Sequence, residues 1–151
     1  MKNKQQDVIF CSNRKATYDY HILDVIEAGI VLEGCEVKSI RNHNVSLDGS
    51  YATVEDGEVF LINCHIDEWK TIVVFGKTYD PTRKRKLLLS KKEIKKFAAK
   101  AEEQGNTLIP LDFHLSNGRI KVKLAVAKGK KDYDKRQSIK EADAKKQIKN
   151  Y

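Results

Sequence analysis

A chain of 151 residues, of which 40% are hydrophobic and 33% charged, is expected to fold as one domain with terminal extensions. Its three cysteines form no Cys-x-x-Cys pair, and no apolar run approaches the length of a signal sequence or a membrane span. A disulfide framework, a zinc site, export and membrane insertion are therefore not expected. The net charge of +8 predicts an anionic partner, and we expect a cytoplasmic protein.

The first strand is predicted to follow a flexible N-terminal segment, residues 1–12, which begins with polar residues. From Tyr20 to Leu32, apolar residues recur at alternate positions, which is the period of a strand with one buried face. Gly29 within this stretch predicts a bend or a β-bulge. The buried face is predicted to consist of Tyr20, Ile22, Ile26, Ala28, Ile30 and Leu32.

A short helix and a hairpin are predicted next. Gly34 to Asn42 favours a helix whose apolar side chains face inward while Lys38 and Arg41 face solvent. Asp56-Gly57 lies between two short strand patterns and favours the positive φ angles of a tight hairpin turn.

A second helix and a long hairpin complete the predicted elements. Ser90 can cap the helix that follows it, and Glu93 completes a capping box. Asn117-Gly118 predicts the turn between two alternating strands. Pro110 is expected at an edge or at the start of its strand, because it has no backbone donor. In this hairpin, the strand before the turn is predicted to bury Ile109, Leu111, Phe113 and Leu115. The strand after the turn is predicted to bury Ile120, Val122, Leu124 and Val126.

Several antiparallel strands with a helix packed across them predict a mainly β fold with some α structure. Among small closed barrels, the oligonucleotide-binding (OB) type fits this order of elements. We therefore expect an OB-like antiparallel β-barrel with two to three helices, spanning residues 13–127.

Residues 128–151 are predicted to form a basic C-terminal tail that is disordered in the free protein. They contain nine Lys and Arg against four acidic residues, and no single helical face collects their apolar side chains. Composition alone is also typical of an ordinary solvated terminus. The functional alternative is a segment that orders on RNA, where counterion release offsets the entropy cost.

Two further patterns are compatible with RNA binding. With alternate residues of its strand committed to the core, Lys121 and Lys123 project from the opposite face about 7 Å apart, a spacing similar to that of successive phosphates. Between Asp67 and Lys86, aromatic residues alternate with basic ones, a composition that can stack on bases and hold phosphates. A solvated sheet face and a mobile loop explain the same two patterns equally well.

No catalytic constellation is found, and neither a metal nor a cofactor is expected. An RNA-processing enzyme that uses Asp24, Glu27 and Glu36 stays open as an alternative, because only folding could bring these carboxylates together. The four histidines lack ligand spacing and are interpreted as isolated structural residues: His21, His43, His65 and His114.

Five ordered blocks of the sequence resemble the SmpB family, the SsrA-binding proteins that partner transfer-messenger RNA in bacterial ribosome rescue. The resemblance covers nearly the whole chain from Asn13, although Tyr18 and Tyr79 stand where many relatives carry His. The blocks are NRKA at Asn13 to Ala16, EAGIVLEGCEVKSIR at Glu27 to Arg41, SYATVEDGEVFLINCHI at Ser50 to Ile66, DPTRKRKLLL at Asp80 to Leu89, and AKGKKDYDKR at Ala127 to Arg136.

The resemblance implies an OB-like barrel that binds the tRNA-like domain of transfer-messenger RNA without performing chemistry. Glu27 as an RNA contact is compatible with its charge, because a carboxylate accepts hydrogen bonds from base amino groups or a ribose hydroxyl. The implied RNA-binding residues are Asn13, Glu27, Leu88 and Lys121, with Lys15, Lys38 and Lys86 as basic neighbours, and the strand pattern adds Lys123.

The resemblance also implies that the tail enters the messenger RNA channel of a stalled ribosome, next to the small-subunit rRNA of the decoding centre, and becomes helical there. Alanyl-tRNA synthetase and elongation factor Tu are implied as indirect partners, and no membrane is. A general single-strand RNA-binding protein of the OB class stays open as an alternative. The implied tail contacts are Lys128, Lys130, Lys131, Asp134, Lys135 and Arg136.

Overall fold

The computed structural model of the chain describes residues 8–69, 79–130 and 136, within which three helices and nine strands lie. The helices are α1 (Arg14–Asp19), α2 (Gly34–Arg41) and α3 (Lys91–Glu102). The strands are β1 (Ile9–Ser12), β2 (Tyr20–Ile30), β3 (Val45–Ser46), β4 (Tyr51–Glu55), β5 (Glu58–Ile62), β6 (His65–Ile66), β7 (Arg85–Leu88), β8 (Asn106–Ser116) and β9 (Arg119–Gly129).

Six strands close into an antiparallel barrel. The pairings run in the order β8-β4-β5-β7-β2-β9 and return from β9 to β8, so each of the six has two neighbours. β1 pairs with the remaining part of β8, while β3 and β6 form a separate two-stranded sheet. The predicted mainly β, OB-like barrel with two to three helices is confirmed.

The predicted turns have the expected local conformation. Asp56-Gly57 joins β4 to β5 with φ angles of 51° and 75°, and Asn117-Gly118 joins β8 to β9 with 52° and 75°. Positive φ at both central residues gives a turn whose twist matches that of the flanking strands. Both hairpins are therefore determined by two-residue sequence signals.

The predicted helix starts and faces are also confirmed. At the start of α3, the Ser90 hydroxyl accepts from the Glu93 N–H at 3.2 Å, and the Glu93 carboxylate accepts from the Ser90 N–H at 2.9 Å. On α2, Ile40 is buried, whereas Lys38 and Arg41 are exposed. None of the helices in the described residues has both the length and the apolar character that a membrane span requires.

Two β-bulges change the predicted alternation of buried residues. The register shifts between Ile22 and Asp24 on β2, and between Pro110 and Asp112 on β8. Each extra residue moves the side chains beyond it to the other face of the sheet. The prediction of one continuous buried face is therefore wrong for β2 and for β8. Tyr20, Ile22, Ile109 and Leu111 pack with Ala16, Ala125 and Ala127 in a cluster under α1, whereas Ile26, Ala28, Phe113, Val122 and Leu124 belong to the barrel core.

The expectations for Gly29 and Pro110 are corrected too. Gly29 lies at a regular position of β2, opposite Leu88 and Lys121. A Cβ built there would lie 3.1 Å from Leu88 Cβ, so the glycine permits the close approach of β7. Pro110 lies inside β8, opposite Leu124, where the bulge tolerates the missing N–H.

The prediction of a flexible N-terminal segment over residues 1–12 is wrong for its last four residues. Residues 9–12 form β1, which pairs with β8, because the apolar run there buries Phe10. The next residues, Arg14–Asp19, form α1, a helix that was not predicted. Ala16 of this helix is buried in the cluster that α1 covers.

The predicted start of the tail is wrong by several residues. β9 continues to Gly129, so Lys128 belongs to the barrel and pairs with His21 of β2. Lys130 contacts α1, since its backbone N–H donates to Asp19 O at 2.8 Å and its Nζ donates to Thr17 O at 2.9 Å. Three of the predicted tail contacts, Lys131, Asp134 and Lys135, lie outside the described residues, while Arg136 is exposed.

A fully buried ion pair joins α2 to β7. Neither Glu36 nor Arg85 has solvent-accessible side-chain surface, and Arg85 Nε donates to Glu36 Oε2 at 2.6 Å. The guanidinium also donates to Cys64 O at 2.7 Å and to Pro81 O at 3.0 Å. The composition of the basic segment grouped Arg85 with possible phosphate ligands, but its side chain is a structural cation.

The Glu36 carboxylate is held ionised by its surroundings. Burial acts to raise its pKa, but hydrogen bonds from the Glu33 N–H and the Arg83 side chain, together with the charge of Arg85, outweigh burial and leave the pKa below its usual value. This carboxylate therefore needs its cations in order to remain in the interior.

Replacing Arg85 with Met is expected to lower the free energy of unfolding by about 3–5 kcal/mol, because Glu36 would remain buried without its main cation. Urea unfolding followed by circular dichroism measures the loss. Lys84→Met is the matched control, since Lys84 is the neighbouring residue and its side chain is 45% exposed. A loss below about 1 kcal/mol for both variants would contradict the structural role of Arg85.

Candidate nucleic-acid interface

Among the residues that the structure describes, α1 covers one end of the outer surface of β2, β9 and β8 and leaves the other end bare. The covered end contains the small residues Ala125 and Ala127 of β9, which pack with Ala16 of α1. Two residues earlier along the same side of β9 come Lys123 and then Lys121. Within the described part of the chain, a large ligand can reach this surface at the end that α1 leaves bare.

Strand register determines which side chains share this bare end. Lys123 lies opposite Glu27 of β2 and Asp112 of β8, and Lys121 lies opposite Gly29 and His114. Paired residues point to the same side of a sheet, so these side chains form two adjacent rows. We call this surface the open face and define it by Glu27, Asp112, His114, Lys121 and Lys123.

The open face contains a hydrogen-bonded cluster that spans three strands. His114 Nδ1 lies 2.7 Å from Asp112 Oδ1, and His114 Nε2 lies 2.7 Å from Glu27 Oε1. Glu27 and His114 belong to different rows and to strands on opposite sides of β9. Their contact therefore crosses β9 diagonally, between Lys121 and Lys123.

This cluster shifts the pKa values of its members. The hydrogen bond from His114 lowers the pKa of Glu27, which outweighs the opposing effect of burial. For His114, burial acts to lower the pKa, but the hydrogen bonds to Glu27 and Asp112 outweigh it and raise the pKa above its usual value. The interpretation of His114 as an isolated structural residue is therefore wrong.

A groove lies next to the open face, around Leu88. The side chain of Leu88 is 51% exposed and sits above Gly29. Arg41 of α2, together with Arg119 and Lys121 of β9, lines the same cavity of about 300 Å³. We call it the Leu88 groove. It combines an apolar contact with three cations, which suits a nucleotide with its phosphates.

A second cavity lies on the other side of Glu27. Ile9 of β1 and Val25 of β2 are 50% and 40% exposed and form its apolar part. Glu27, His114 and Lys123 form its polar part, and its volume is about 330 Å³. We call it the His114 cleft. It offers an apolar contact, a carboxylate acceptor and an ammonium group within the space of a nucleobase.

Other residues implied by the resemblance lie away from the open face. Asn13 is buried, and its backbone N–H and side-chain Nδ2 donate to Leu111 O at 2.7 Å and Pro110 O at 3.0 Å. Lys15 is exposed on α1, where it lines a separate cavity with Asn13 and Tyr51. The structure thus separates these two residues from Glu27, Leu88, Lys121 and Lys123.

The remaining two basic residues are closer to the Leu88 groove. Lys38 is exposed on α2, three residues before Arg41. Lys86 lies on β7 and its Nζ is 3.0 Å from Glu58 Oε1. Both side chains are accessible, but Lys86 would have to leave its carboxylate in order to bind a phosphate.

The aromatic and basic segment is described only in part, because residues 70–78 lie outside the described ranges. Trp69 is half-buried. The Tyr79 hydroxyl donates to Ile66 O at 2.7 Å. Tyr79 is thus hydrogen-bonded to β6 at the end of this segment.

The carboxylates of the proposed RNA-processing site do not converge. Asp24 contacts Lys100 and Lys96 of α3, Glu36 is buried with Arg85, and Glu27 binds His114. Within residues 8–69, 79–130 and 136, no group of three His, Cys, Asp or Glu side chains is arranged to hold a metal ion.

The chain is similar in sequence to known proteins along most of its length. The family model described as "SmpB protein" matches residues 10–151. The SsrA-binding protein of Caldicellulosiruptor bescii is 52% identical over 148 residues, covering 97% of this chain and 92% of the relative. That of Clostridium tetani is 54% identical over 136 residues, covering 90% and 86%.

A solved structure is similar as well. It is described as "tmRNA-SmpB: a journey to the center of the bacterial ribosome". The match has a TM-score of 0.65 at 45% identity and covers 80% of this chain and 84% of the other.

The His114 cluster predicts a measurable pH dependence. Because the folded-state pKa of His114 is raised, its contribution to stability is complete below the unfolded pKa of about 6.5 and is lost as the pH rises through the folded value. Glu27, with a lowered pKa, loses its contribution as the pH falls through its own folded value. An NMR titration of the ring is expected to place the pKa of His114 above 6.5, and Glu27→Gln is expected to reduce it.

Glu58→Gln is the matched control for that titration, because it removes a carboxylate that binds Lys86 and not His114. It should leave the titration of His114 unchanged. Identical titration curves of the His114 ring in Glu27→Gln and in the unmodified protein would show that Glu27 does not raise the pKa of His114.

Proposed function

The chain belongs to the SmpB protein family, and from this premise we propose that it is a non-enzymatic adaptor of trans-translation. In this role it binds the tRNA-like domain of transfer-messenger RNA and delivers that RNA to stalled ribosomes. The family match over residues 10–151 carries the proposal. The similar solved structure, whose description joins tmRNA and SmpB in the ribosome, supports both partners.

The open face supplies the chemistry for binding a folded RNA. Lys121 and Lys123 are two residues apart on a strand that is paired on both sides, so their positions are fixed before RNA arrives. Their spacing of about 7 Å suits successive phosphates of one RNA strand. Exposed Leu88 adds an apolar contact, and Glu27 adds an acceptor for amino or hydroxyl groups of the RNA.

The rigid barrel favours a folded RNA over an unstructured one. An OB protein that binds any single strand needs exposed aromatic rings on which bases stack. Of the residues that the structure describes, those lining the open face and the Leu88 groove are mainly charged and aliphatic. This composition suits backbone and shape recognition, which is how proteins bind folded RNA.

The same proposal implies the other partners in ribosome rescue. Alanyl-tRNA synthetase and elongation factor Tu act on the tRNA-like end of the RNA, and so meet the complex in the cytoplasm without requiring a site on this chain. The ribosome performs the chemistry of peptide transfer. The adaptor contributes binding and orientation.

The tail is proposed to act on the ribosome and not on the adaptor RNA. Contacts between Lys130 and α1 fix the point where the tail leaves the barrel. That point lies at the α1 end of β9, whereas Lys121 and Lys123 lie near its other end. Residues 131–151 could therefore enter a messenger RNA channel that is empty while the open face holds RNA.

Lys121→Ala is expected to weaken binding of transfer-messenger RNA and to reduce the slope of log affinity against log salt by about one unit, because one phosphate contact is lost. Equilibrium binding over a series of salt concentrations measures both quantities. Lys95→Ala, which removes the same charge from an exposed position on α3, is the matched control. An unchanged slope for Lys121→Ala would place this residue outside the interface.

Assays with the same RNA distinguish the adaptor from the two alternative functions, a general single-strand RNA-binding protein and an RNA-processing enzyme. An unstructured RNA of equal length should compete poorly for the adaptor but well for a general single-strand binder. Site-specific cleavage of the RNA in the presence of magnesium, abolished by Glu27→Gln, would instead establish an RNA-processing enzyme.

Deletion of residues 131–151 is expected to leave affinity for transfer-messenger RNA within a few-fold but to abolish rescue. The reason is that the deleted residues lie beyond β9 and beyond Lys130, whose backbone N–H donates to Asp19 O of α1. Binding is measured by filter retention, and rescue by peptide tagging on ribosomes stalled in a reconstituted translation system. Parallel loss of both activities would contradict the separate role of the tail.

A further inference from the structure

His114 is placed between two carboxylates in a way that a neutral imidazole cannot satisfy. A neutral ring has one N–H donor and one acceptor nitrogen. Here both ring nitrogens lie 2.7 Å from carboxylate oxygens, one of Asp112 and one of Glu27. Whichever tautomer a neutral ring adopts, one carboxylate faces a lone pair. Only the cationic ring donates to both.

We propose that His114 is a proton-dependent positioning residue for RNA recognition: its cationic ring holds the Glu27 carboxylate across β9, and loss of the ring proton releases Glu27 and weakens RNA binding. The inference rests on the proposed function and deepens it. It assigns a role to a residue that is not itself required to touch the RNA.

The charges that surround His114 come from β2, β9 and β8. Glu27 is on β2, Lys121 and Lys123 are on β9, and Asp112 is on β8 with His114 itself. β1 contributes Ile9, opposite His114, and the sequence of β1 contains no charged residue. With a cationic ring the open face has three positive and two negative groups. Without the proton the charges balance, which disfavours a polyanion.

Glu27 is the carboxylate that would move when the proton leaves. Its side chain is 48% exposed, whereas that of Asp112 is 13% exposed and that of His114 15%. Rotating the Glu27 side chain into solvent therefore costs less free energy than moving the Asp112 side chain. Lys123 lies directly opposite Glu27, so the released carboxylate can pair with this lysine. Such a pair would occupy a cation that RNA phosphates need.

The transition is expected above the pH at which an ordinary histidine loses its proton. The pKa of His114 is raised despite burial, through its hydrogen bonds to Glu27 and Asp112, so it titrates above the usual value of about 6.5. Losing one positive charge beside a phosphate contact lowers affinity about fivefold to tenfold at roughly 0.1 M salt.

The experiment measures binding of transfer-messenger RNA by the full-length chain from pH 6 to pH 9 at constant ionic strength. The unmodified protein is expected to lose about fivefold to tenfold in affinity across the transition. His114→Gln, which cannot take up the proton, is expected to bind at the weaker level throughout. His65→Gln is the control, because His65 is an exposed histidine that pairs with Asp67 outside the open face. It should keep the profile of the unmodified protein.

A double-mutant cycle tests the contact between His114 and Glu27. If His114 acts by holding Glu27, then His114→Gln should have a much smaller effect at pH 6 in a Glu27→Gln background than in the unmodified protein. Thermal unfolding of each variant checks that the barrel is intact. A purely structural histidine would give additive effects and no change in the pH profile.

Three outcomes are distinguishable. A flat profile for His114→Gln together with non-additive effects supports the inference. Normal binding by the unmodified protein, with the same profile in His114→Gln, overturns this inference and leaves the proposed function intact. Absence of binding by the unmodified protein at every pH overturns the proposed function, and the role of His114 with it.

Discussion

The pairing of β9 with β2 on one side and β8 on the other is the constraint on which this molecule depends. It closes the barrel, and its register fixes which outer side chains are neighbours. Two bulges on the partner strands divide the outer surface into an apolar end under α1 and a charged end without a cover. The apolar residues that pack against α1 and the charged residues that suit RNA thus lie in successive parts of the same three strands.

Charged residues of this chain fall into two classes that composition cannot separate. Arg85 and Lys86 are adjacent, yet Arg85 is fully buried with Glu36 while Lys86 pairs with Glu58 at the surface. The first stabilises the junction of α2 and β7, and the second is accessible to a ligand. Strand alternation contained this information, since Arg85 shares its face with buried Leu87.

Elements set by local interactions were predicted from the sequence. The hairpin turn at Asp56-Gly57 and the capping box at Ser90 depend on a few neighbouring residues, and both have the predicted geometry. The outward orientation of Ile109 was not predicted, because a bulge is a property of strand pairing. The partners of His114 were missed for the same reason. Glu27 is 87 residues away in the chain, and only the strand order brings the two side chains together.

We propose that the end of the β2-β9-β8 surface left bare by α1 binds transfer-messenger RNA, and an NMR titration of the isotopically labelled chain with the tRNA-like domain tests this proposal. The largest shifts of backbone amides are expected at Lys121, Lys123, His114 and Leu88, with little change along α3. Large shifts confined to α3, with the bare end of β9 unaffected, would contradict it.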